Sequence, residues 1–359
     1  MVSPSLLLRR RHFRARRGRD VSASVRQRAL VAWAISLPLF LTGLVGACGS
    51  QTTIPTAAPT GSTTARTAVA PSTAAPSAPS PATAPTTAAP ETASESTSAT
   101  SPDGGPCGTG ARPPARYQHV VWVVMENHSA DAALAGPYVA SLAKQCAVAS
   151  DYRAITHPSL PNYIAMTSGA TQGITDDAAP DAHPLTAASI FSQAPSWRAL
   201  QESMPSGCLR ADSGLYAVKH NPAAYYRGLA DCPRQDVPLV SPPDLSAAFT
   251  LITPNLCNDT HDCPTSTGDA WLAKLLPTLV ATPEYRAGST AIFVTWDEDD
   301  GSRDNRVALL AVARGVVPGT RAGARFDHYS LLRTTEDMLG LPALGGAASA
   351  AGMRSALGI

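Results

Sequence analysis

The first candidate catalytic residue in this sequence is a serine that lies between two prolines. The segment THPSLPNY, residues 156–163, places Ser159 between Pro158 and Pro161. The prolines make the backbone before Ser159 stiff and non-helical, and Pro161 suits the first turn of a helix. The amino end of such a helix binds phosphate, and a metal can activate a serine there to attack phosphorus. Taken alone, the segment fits an ordinary helix-capping serine equally well.

A run of four acids is the second feature. The segment TWDEDDG, residues 295–301, contains Asp297 and Glu298 followed by two more aspartates. Adjacent carboxylates repel one another unless water or a cation neutralises them, and hard cations prefer oxygen ligands. A solvated acidic turn is the alternative. A calcium-binding EF-hand does not fit, because Ala308 stands where its closing glutamate belongs.

Three histidines complete the set of candidate catalytic groups. His220, His261 and His328 all lie in polar segments typical of turns rather than on apolar faces. Histidine suits phosphate binding, proton transfer or metal ligation. A surface histidine without a function is the alternative for each. No GxSxG, HExxH or phosphate-binding P-loop motif occurs, which excludes the usual chemistry of those motifs.

The elements that position these residues follow from the apolar pattern. We predict strands at residues 120–125, 249–253, 291–296 and 306–313, and helices at 137–146, 161–167, 197–204, 269–279 and 329–339. Alternating strands and helices predict an α/β domain, with a mostly parallel sheet between helices. Ligands bind at the carboxyl ends of such strands. Glu126 and Asn127 end one strand and Asp297 and Glu298 end another, so we expect them to converge.

The amino-terminal part of the chain has a different composition from the rest. An arginine-rich segment, an apolar run and small residues before Cys48 predict an export signal over residues 1–48, with Cys48 at a position similar to a lipoprotein cleavage site. An uncleaved membrane anchor is the alternative. Residues 49–106 are rich in Thr, Ala, Pro and Ser, which predicts a disordered stalk. The globular domain is then expected over residues 107–359.

Cysteine number and net charge restrict the remaining possibilities. If Cys48 carries lipid, six of the 7 cysteines remain, an even number that predicts disulfides in an exported domain. We expect sequential pairs, namely Cys107–Cys146, Cys208–Cys232 and Cys257–Cys263, with free buried thiols as the alternative. The formal net charge of +1 gives no reason to expect a nucleic acid partner.

Seven ordered segments carry a family resemblance that spans residues 116–341. They read VVWVVMENHS, AITHPSLPNYIAMTSG, YAVKHNPAAYY, ITPNLCNDTHDC, GDAWL, FVTWDEDDG and HYSLLRTTEDMLGL. In this order they resemble the bacterial acid phosphatase/phospholipase C phosphoesterases, and most of all secreted acid phosphatases of actinobacteria. The resemblance implies the alkaline phosphatase superfamily fold and a phosphoserine mechanism.

The resemblance also assigns roles to individual positions. Ser159 matches the nucleophile, and His220 and His261 match histidines around the phosphate. The metal-binding positions match Glu126, Asn127, Asp297 and Glu298. His328 stands where the wider superfamily has a late histidine. The implied cofactor is a divalent cation, for which an oxygen-rich set of ligands admits Mg, Ca, Mn or Zn.

The sequence therefore predicts an exported, metal-dependent acid phosphatase that hydrolyses phosphomonoesters through a phosphoserine intermediate. Its partners are expected to be a small phosphorylated substrate or a phospholipid head group, and the membrane only through the amino-terminal anchor. The expected location is the outer face of the membrane, or secretion. Two alternatives stay open: a phospholipase C or other phosphodiesterase on the same scaffold, and a surface lipoprotein without catalytic activity.

Overall fold

The computed structural model describes residues 105–359 of the 359-residue chain. The predicted export signal, Cys48 and nearly all of the predicted stalk lie outside these residues. Within the described part, no helix is both long and apolar enough to cross a membrane.

Eight strands form one mixed sheet. They are β1 (His119–Met125), β2 (Ala147–Arg153), β3 (Trp197–Gln201), β4 (Asp236–Pro238), β5 (Phe249–Thr253), β6 (Thr290–Trp296), β7 (Arg306–Val312) and β8 (Arg321–Asp327). Their spatial order is β4-β3-β5-β1-β6-β7-β2-β8. Only β7 runs antiparallel to its neighbours, so the other seven strands all point the same way. The sheet is therefore mostly parallel, as predicted.

Helices cover the sheet and connect its strands. They are α1 (Ala130–Leu134), α2 (Pro137–Gln145), α3 (Ser159–Ser168), α4 (Ile190–Gln193), α5 (Cys232–Gln235), α6 (Thr265–Val280), α7 (Pro283–Arg286), α8 (His328–Leu339) and α9 (Arg354–Leu357). Short 3-10 turns occupy Val218–His220, Pro222–Tyr225 and Gly345–Ala348. The 3-10 turn at Val218–His220 is important below, because it carries His220.

The centre of the sheet explains why its strands were predictable. From Val120 to Met125, β1 is fully buried, and every residue of β6 is buried as well. Strands covered on both faces read as continuous apolar runs rich in β-branched residues. The four predicted strands and the helices predicted at 137–146, 161–167, 269–279 and 329–339 are confirmed, with ends that differ by a few residues.

One predicted helix is wrong. Residues 197–204 were expected to be helical, but Trp197–Gln201 forms β3 and pairs in parallel with β5 and β4. The segment contains Ala, Leu, Gln and Glu, which favour helices in isolation. Pairing with β5 on one side and β4 on the other overrides that weak preference, because the strand places Ala199 and Leu200 in the core.

Three disulfide bonds fix loops around the sheet. They join Cys107 to Cys146, Cys208 to Cys232, and Cys257 to Cys263. These are the same pairs that sequential pairing gives. The third bond closes a short loop between β5 and α6, and this loop contributes residues to the candidate active site.

Candidate active site

The two residues after β1 and the two residues after β6 meet at one edge of the sheet, as predicted. Met125 and Trp296 are register partners at the ends of the parallel neighbours β1 and β6. Glu126 and Asp297 are the next residues, and the backbone N–H of Asp297 donates to the carbonyl of Met125 at 3.0 Å. The sheet thus brings together side chains that are far apart in sequence, as predicted from the strand ends.

Ser159 lies at this edge as the first residue of α3. Its hydroxyl donates to Glu126 Oε2 at 3.0 Å, and Tyr163, one turn further along α3, donates to Glu126 Oε1 at 2.6 Å. All three side chains are essentially inaccessible to solvent. Both oxygens of one buried carboxylate are therefore held by hydroxyl groups of the same helix, and the Ser159 oxygen is fixed beside the carboxylate cluster.

Asn127 connects the carboxylate of Glu126 with those of Asp297 and Glu298. Its backbone is in the left-handed region at φ 50°, which asparagine tolerates better than most residues. Its N–H donates to Asp297 Oδ1 at 3.2 Å. With its carboxamide nitrogen turned towards the carboxylates, Asn127 also donates to Glu126 Oε2 at 3.2 Å and to Glu298 Oε1 at 3.3 Å. The four predicted metal positions thus form one contiguous group.

A second asparagine connects Glu298 to the serine turn. Asn162, in the first turn of α3, donates from Nδ2 to Glu298 Oε2 at 3.1 Å. Its Oδ1 accepts the backbone N–H groups of Ile155 and Thr156, which precede Ser159. The asparagine of the segment HPSLPN therefore has a structural reason: it holds the chain before the serine against the β6 carboxylates.

The acidic run after β6 divides into two functions. Asp297 and Glu298 face the serine, whereas Asp299 accepts backbone N–H groups of Gly301, Arg303 and Asn305. Asp300 is exposed on the same turn. Half of the run thus belongs to the candidate site, and the other half builds the turn that follows it.

A further buried acid, Asp259, was missed in the sequence. It lies in the loop after β5, where its carbonyl accepts the N–H of Glu126 at 2.9 Å. Its Oδ2 lies 3.2 Å from His220 Nδ1, and His220 Nε2 lies 3.3 Å from Glu126 Oε2. His220 therefore stands between two buried carboxylates. Only its position could have identified Asp259 from the sequence, because it follows the carboxyl end of a predicted strand.

His261, in the same loop, faces a more open part of the site. Lys219 Nζ lies 3.2 Å from His261 Nε2 and donates to Asp177 Oδ2 at 3.1 Å. Asp177 Oδ1 accepts the N–H of Leu160, at the start of α3. Neither Lys219 nor Asp177 was predicted. Lys219 adjoins His220 in sequence, which is a usable signal, but nothing in the sequence marks Asp177.

His328 lies behind the site rather than in it. Its Nε2 donates to the backbone carbonyl of Asp297 at 2.6 Å, and its Nδ1 accepts from Tyr152 at 2.9 Å. Burial lowers the pKa of His328 to about 4, so the ring is neutral. His328 thus supports the backbone that presents Asp297, and it does not touch Ser159.

Burial dominates the electrostatics of the cluster. It raises the pKa of Glu126 and of Asp297 well above the ordinary range, and the neighbouring carboxylates raise them further. It also raises the pKa of Asp259 to about 7 and that of Glu298 to about 8. Burial and the charge of Lys219 lower the pKa of His220 well below its usual value. A neutral His220 cannot balance the charge of these acids.

The residues of the cluster fit a divalent metal. Within the described part of the chain, Asp297 Oδ2 is buried without a hydrogen-bond partner, and Asp259 Oδ2 is buried with only its 3.2 Å contact to His220 Nδ1. Buried carboxylate oxygens are costly unless they are paired or coordinate a cation. Glu126, His220 and His261 also offer ligand atoms within 4.8 Å of one another. Oxygen donors suit Mg, Ca or Mn, and the added imidazoles suit Zn.

Close packing of α6 positions the loop that carries Asp259 and His261. A Cβ atom on Gly268 would lie 2.3 Å from Thr260 Cγ2 and 3.0 Å from the carbonyl of Asn258, so only glycine allows this approach. On the same helix, Trp271 donates to Glu202, which also accepts from Asn258. The segment GDAWL therefore supports the site without entering it.

A cavity of about 700 Å³ lies elsewhere, among residues of α2, α6 and α7. Its lining includes Tyr138, Leu276, Tyr285 and Arg314 but no acid and no histidine. We therefore place the active site by its chemistry and not by cavity size.

Comparison with known proteins identifies the family of this chain. Residues 132–342 match the Phosphoesterase family. The chain belongs to the phosphoesterase family. It is accordingly a phosphoric ester hydrolase, which confirms the predicted family and class of enzyme.

The chain is similar to phosphatases of bacteria and of fungi. A phosphatidylinositol-3-phosphatase of Mycobacterium tuberculosis is 33% identical over 247 residues, which cover 65% of this chain and 81% of that protein. A phosphate-repressible acid phosphatase of Penicillium chrysogenum is 30% identical over 251 residues, 64% of this chain and 60% of the fungal protein. The chain thus spans well under two thirds of the fungal relative.

Among solved structures, a protein in the alkaline phosphatase superfamily from Vibrio parahaemolyticus aligns with a TM-score of 0.46 and 11% identity. The alignment covers 69% of this phosphoesterase and 74% of that chain. A likeness of this size carries no argument about the reaction.

Proposed function

We propose that this phosphoesterase is an exported, metal-dependent acid phosphatase that hydrolyses phosphomonoesters through a phosphoserine at Ser159. One observation carries the proposal: the Ser159 hydroxyl donates to Glu126 inside a cluster of buried carboxylates whose free oxygens fit a cation. The two named relatives, a phosphatidylinositol phosphatase and an acid phosphatase, support a phosphomonoester as the substrate.

Glu126, Asn127, Asp297 and Glu298 are the residues that we expect to hold the metal. When bound, a divalent cation would lower the pKa of the serine hydroxyl and polarise the phosphoryl group. The protein's own contribution is orientation, because Tyr163 and Ser159 both donate to Glu126 and fix its carboxylate.

The proposed reaction has two steps. In the first, Ser159 Oγ passes its proton to the Glu126 carboxylate that accepts its hydrogen bond and forms a bond to phosphorus, while the bond from phosphorus to the leaving oxygen breaks. His261 supplies the proton that the leaving oxygen takes, and His220 orients Glu126 beside the serine. In the second step, water attacks the phosphorus of the phosphoserine and gives a proton to His261, and the bond from Oγ to phosphorus breaks. Glu126 returns its proton to Oγ, which restores the serine hydroxyl as inorganic phosphate leaves.

The roles of the two histidines differ because their surroundings differ. His220 is almost fully buried between Glu126 and Asp259, so it orients the carboxylates next to the serine. His261 is about a quarter exposed, on the side where a leaving group departs. We therefore assign proton donation to His261, and to His220 the orientation of Glu126 and Asp259.

The test is hydrolysis of an aryl phosphomonoester by the full chain with added divalent cations, across a range of pH, beside Ser159→Ala. We expect a loss of about 10⁴-fold or more in kcat for the variant, as for removal of other serine nucleophiles. Ser141→Ala, on the exposed surface of α2, is the matched control and should behave like the parent.

Two results would contradict the proposal. Normal turnover by Ser159→Ala would remove the phosphoserine step. Hydrolysis of an aryl phosphodiester in preference to the monoester would favour the phospholipase C alternative on the same site. Export is tested separately, by locating the full chain in fractions of the cell that produces it.

A further inference from the structure

Lys219 is the cationic side chain that borders the serine and its carboxylates. The chain has three lysines, and the other two, Lys144 and Lys274, are exposed on helices. The side chain of Lys219 is only 20% exposed. Its ammonium lies 3.2 Å from His261 Nε2, and one ring nitrogen of His261 lies within 4.8 Å of ligand atoms of Glu126 and His220.

The position of this ammonium is tied to the nucleophile helix. Asp177 accepts from Lys219 with Oδ2 and from the N–H of Leu160 with Oδ1, at 3.1 and 2.9 Å. Leu160 directly follows Ser159. A single carboxylate therefore fixes Lys219 relative to the serine, although the two residues lie on separate segments of the chain.

Lys219 forms one ion pair, with Asp177. An ammonium has three N–H donors, of which Asp177 accepts one, and a second faces His261 Nε2 at 3.2 Å when that nitrogen carries no proton. Among the described residues no further acceptor lies within hydrogen-bond distance of the ammonium, so at least one donor stays available for a substrate oxygen.

A cation would stabilise a phosphomonoester bound at this place. The ester carries up to about two negative charges, as a phosphorylated side chain does near neutral pH. In phosphoryl transfer the charge spreads over three peripheral oxygens, and positioned cations stabilise it. The edge formed by Glu126, Asp297 and Asp259 is acidic and would by itself repel an incoming dianion.

We propose that Lys219 binds the phosphoryl oxygens of the substrate and that Asp177 is the positioning residue that holds its ammonium beside α3. This inference rests on the proposed function and extends it to substrate charge. Lys219 favours a dianionic phosphomonoester over a phosphodiester, which carries a single negative charge and offers one fewer charged oxygen.

The first test measures binding, not turnover. Inorganic phosphate is titrated into the full-length Ser159→Ala protein by calorimetry with Mg²⁺ or Zn²⁺ present, and then into the same protein with Lys219→Met added. We expect Lys219→Met to weaken phosphate binding about tenfold or more. Lys274→Met, which removes an exposed lysine, is the matched control and should leave the affinity unchanged. Lys219→Arg keeps the charge and should retain most of the binding. It replaces Lys219→Met as the test variant if the methionine variant fails to fold.

The second test compares two substrates. In the Ser159 parent, Lys219→Met should lower kcat/KM for an aryl phosphomonoester by about 10² to 10³-fold, the usual cost of one oxyanion donor. The loss for an aryl phosphodiester should be clearly smaller. Asp177→Asn should cost less than Lys219→Met, and should add little to it in the double variant, because the two residues act through one contact.

The outcomes separate this inference from the proposed function. If the parent hydrolyses no phosphomonoester, the proposed function is wrong, and the calorimetric titration still decides the role of Lys219. Equal phosphate affinity with and without Lys219, or no phosphate binding by the parent at all, overturns the inference. Equal losses for the monoester and the diester would also contradict it, because they would show that Lys219 does not distinguish substrate charge.

Discussion

The candidate site has two halves that differ in how they are built. The inner half consists of Ser159, Glu126, Asp259, Asp297 and His220, all at most 2% exposed. The outer half consists of Asp177, Lys219 and His261, whose side chains are between 20 and 29% exposed.

The difference separates two tasks. The inner half lies at the ends of β1 and β6, at the start of α3, and at buried positions of the Val218–His220 turn and of the loop after β5, where exclusion of water strengthens electrostatic interactions. The outer half lies at neighbouring, partly exposed positions of the same turn and loop and at Asp177, where an ammonium and an imidazole can meet an incoming charged group. In the proposed reaction, the inner half holds the nucleophile, and the outer half meets the charge and the leaving group of the substrate.

The largest effect should come from one inner carboxylate. Asp297→Asn keeps the size of the side chain but removes a charged oxygen, so we expect kcat to fall about 10³-fold or more. Without metal, the same variant should raise Tm, because a buried carboxylate in an acidic cluster destabilises the fold. Activity assays and thermal unfolding in chelator measure the two effects. The matched control is Asp300→Asn, on the exposed part of the same acidic run. Parent-like activity in Asp297→Asn would show that activity does not depend on this carboxylate of the inner half.

A smaller effect is expected behind the inner half. His328→Gln removes the ring that supports the Asp297 carbonyl, so we expect kcat to fall by about 10 to 100-fold, the usual cost of losing a group that orients a metal ligand. Steady-state kinetics checks this, with His183→Gln at the surface as the control. A loss as large as that of Ser159→Ala would instead place His328 in the reaction itself.

The smallest effect on activity, and a clear one on stability, should come from a buried acid outside the site. Burial raises the pKa of Asp236 to about 7, against a partly opposing hydrogen bond from Asn221. Because the folded protein holds this proton more tightly than the unfolded chain does, the stabilisation is complete below about pH 4 and is lost as pH rises through about 7.

Asp236→Asn should therefore reduce the fall in stability between about pH 4 and 7 by a few kcal/mol. Denaturant unfolding at several pH values, with enough metal to saturate the site, measures it beside Asp181→Asn, an exposed control. Identical pH profiles for the parent and Asp236→Asn would show that the buried acid is not perturbed in this way.

The same two halves mark only part of what the sequence could predict, because Asp259 of the inner half was missed and His261 of the outer half was predicted. The central strands were readable because burial on both faces makes them continuous apolar runs, and Glu126 and Asp297 follow from where those runs stop. Strand β3 was not, since its residues favour a helix until β5 and β4 pair with it. Strand β8 was missed because most of it is exposed, and few of its residues are apolar.

The outer half was hard to read for a physical reason. Asp177 lies in an irregular segment, and its role depends on a contact with Leu160 that no periodicity encodes. Lys219 is recognisable only once His220 is placed. Loops are positioned by the particular contacts that they make and not by a repeating pattern, so sequence alone leaves their partners open.

The pairing of β1 with β6 has a kinetic consequence. The contact between Asn127 and Asp297 spans 170 residues, and parallel strands so far apart in sequence come together slowly, because loop-closure entropy opposes the contact until it forms. The carboxylate edge does not exist before that pairing is made. During refolding from denaturant, catalytic activity should therefore recover later than helix content. A chain whose sheet is incomplete should have no catalytic activity.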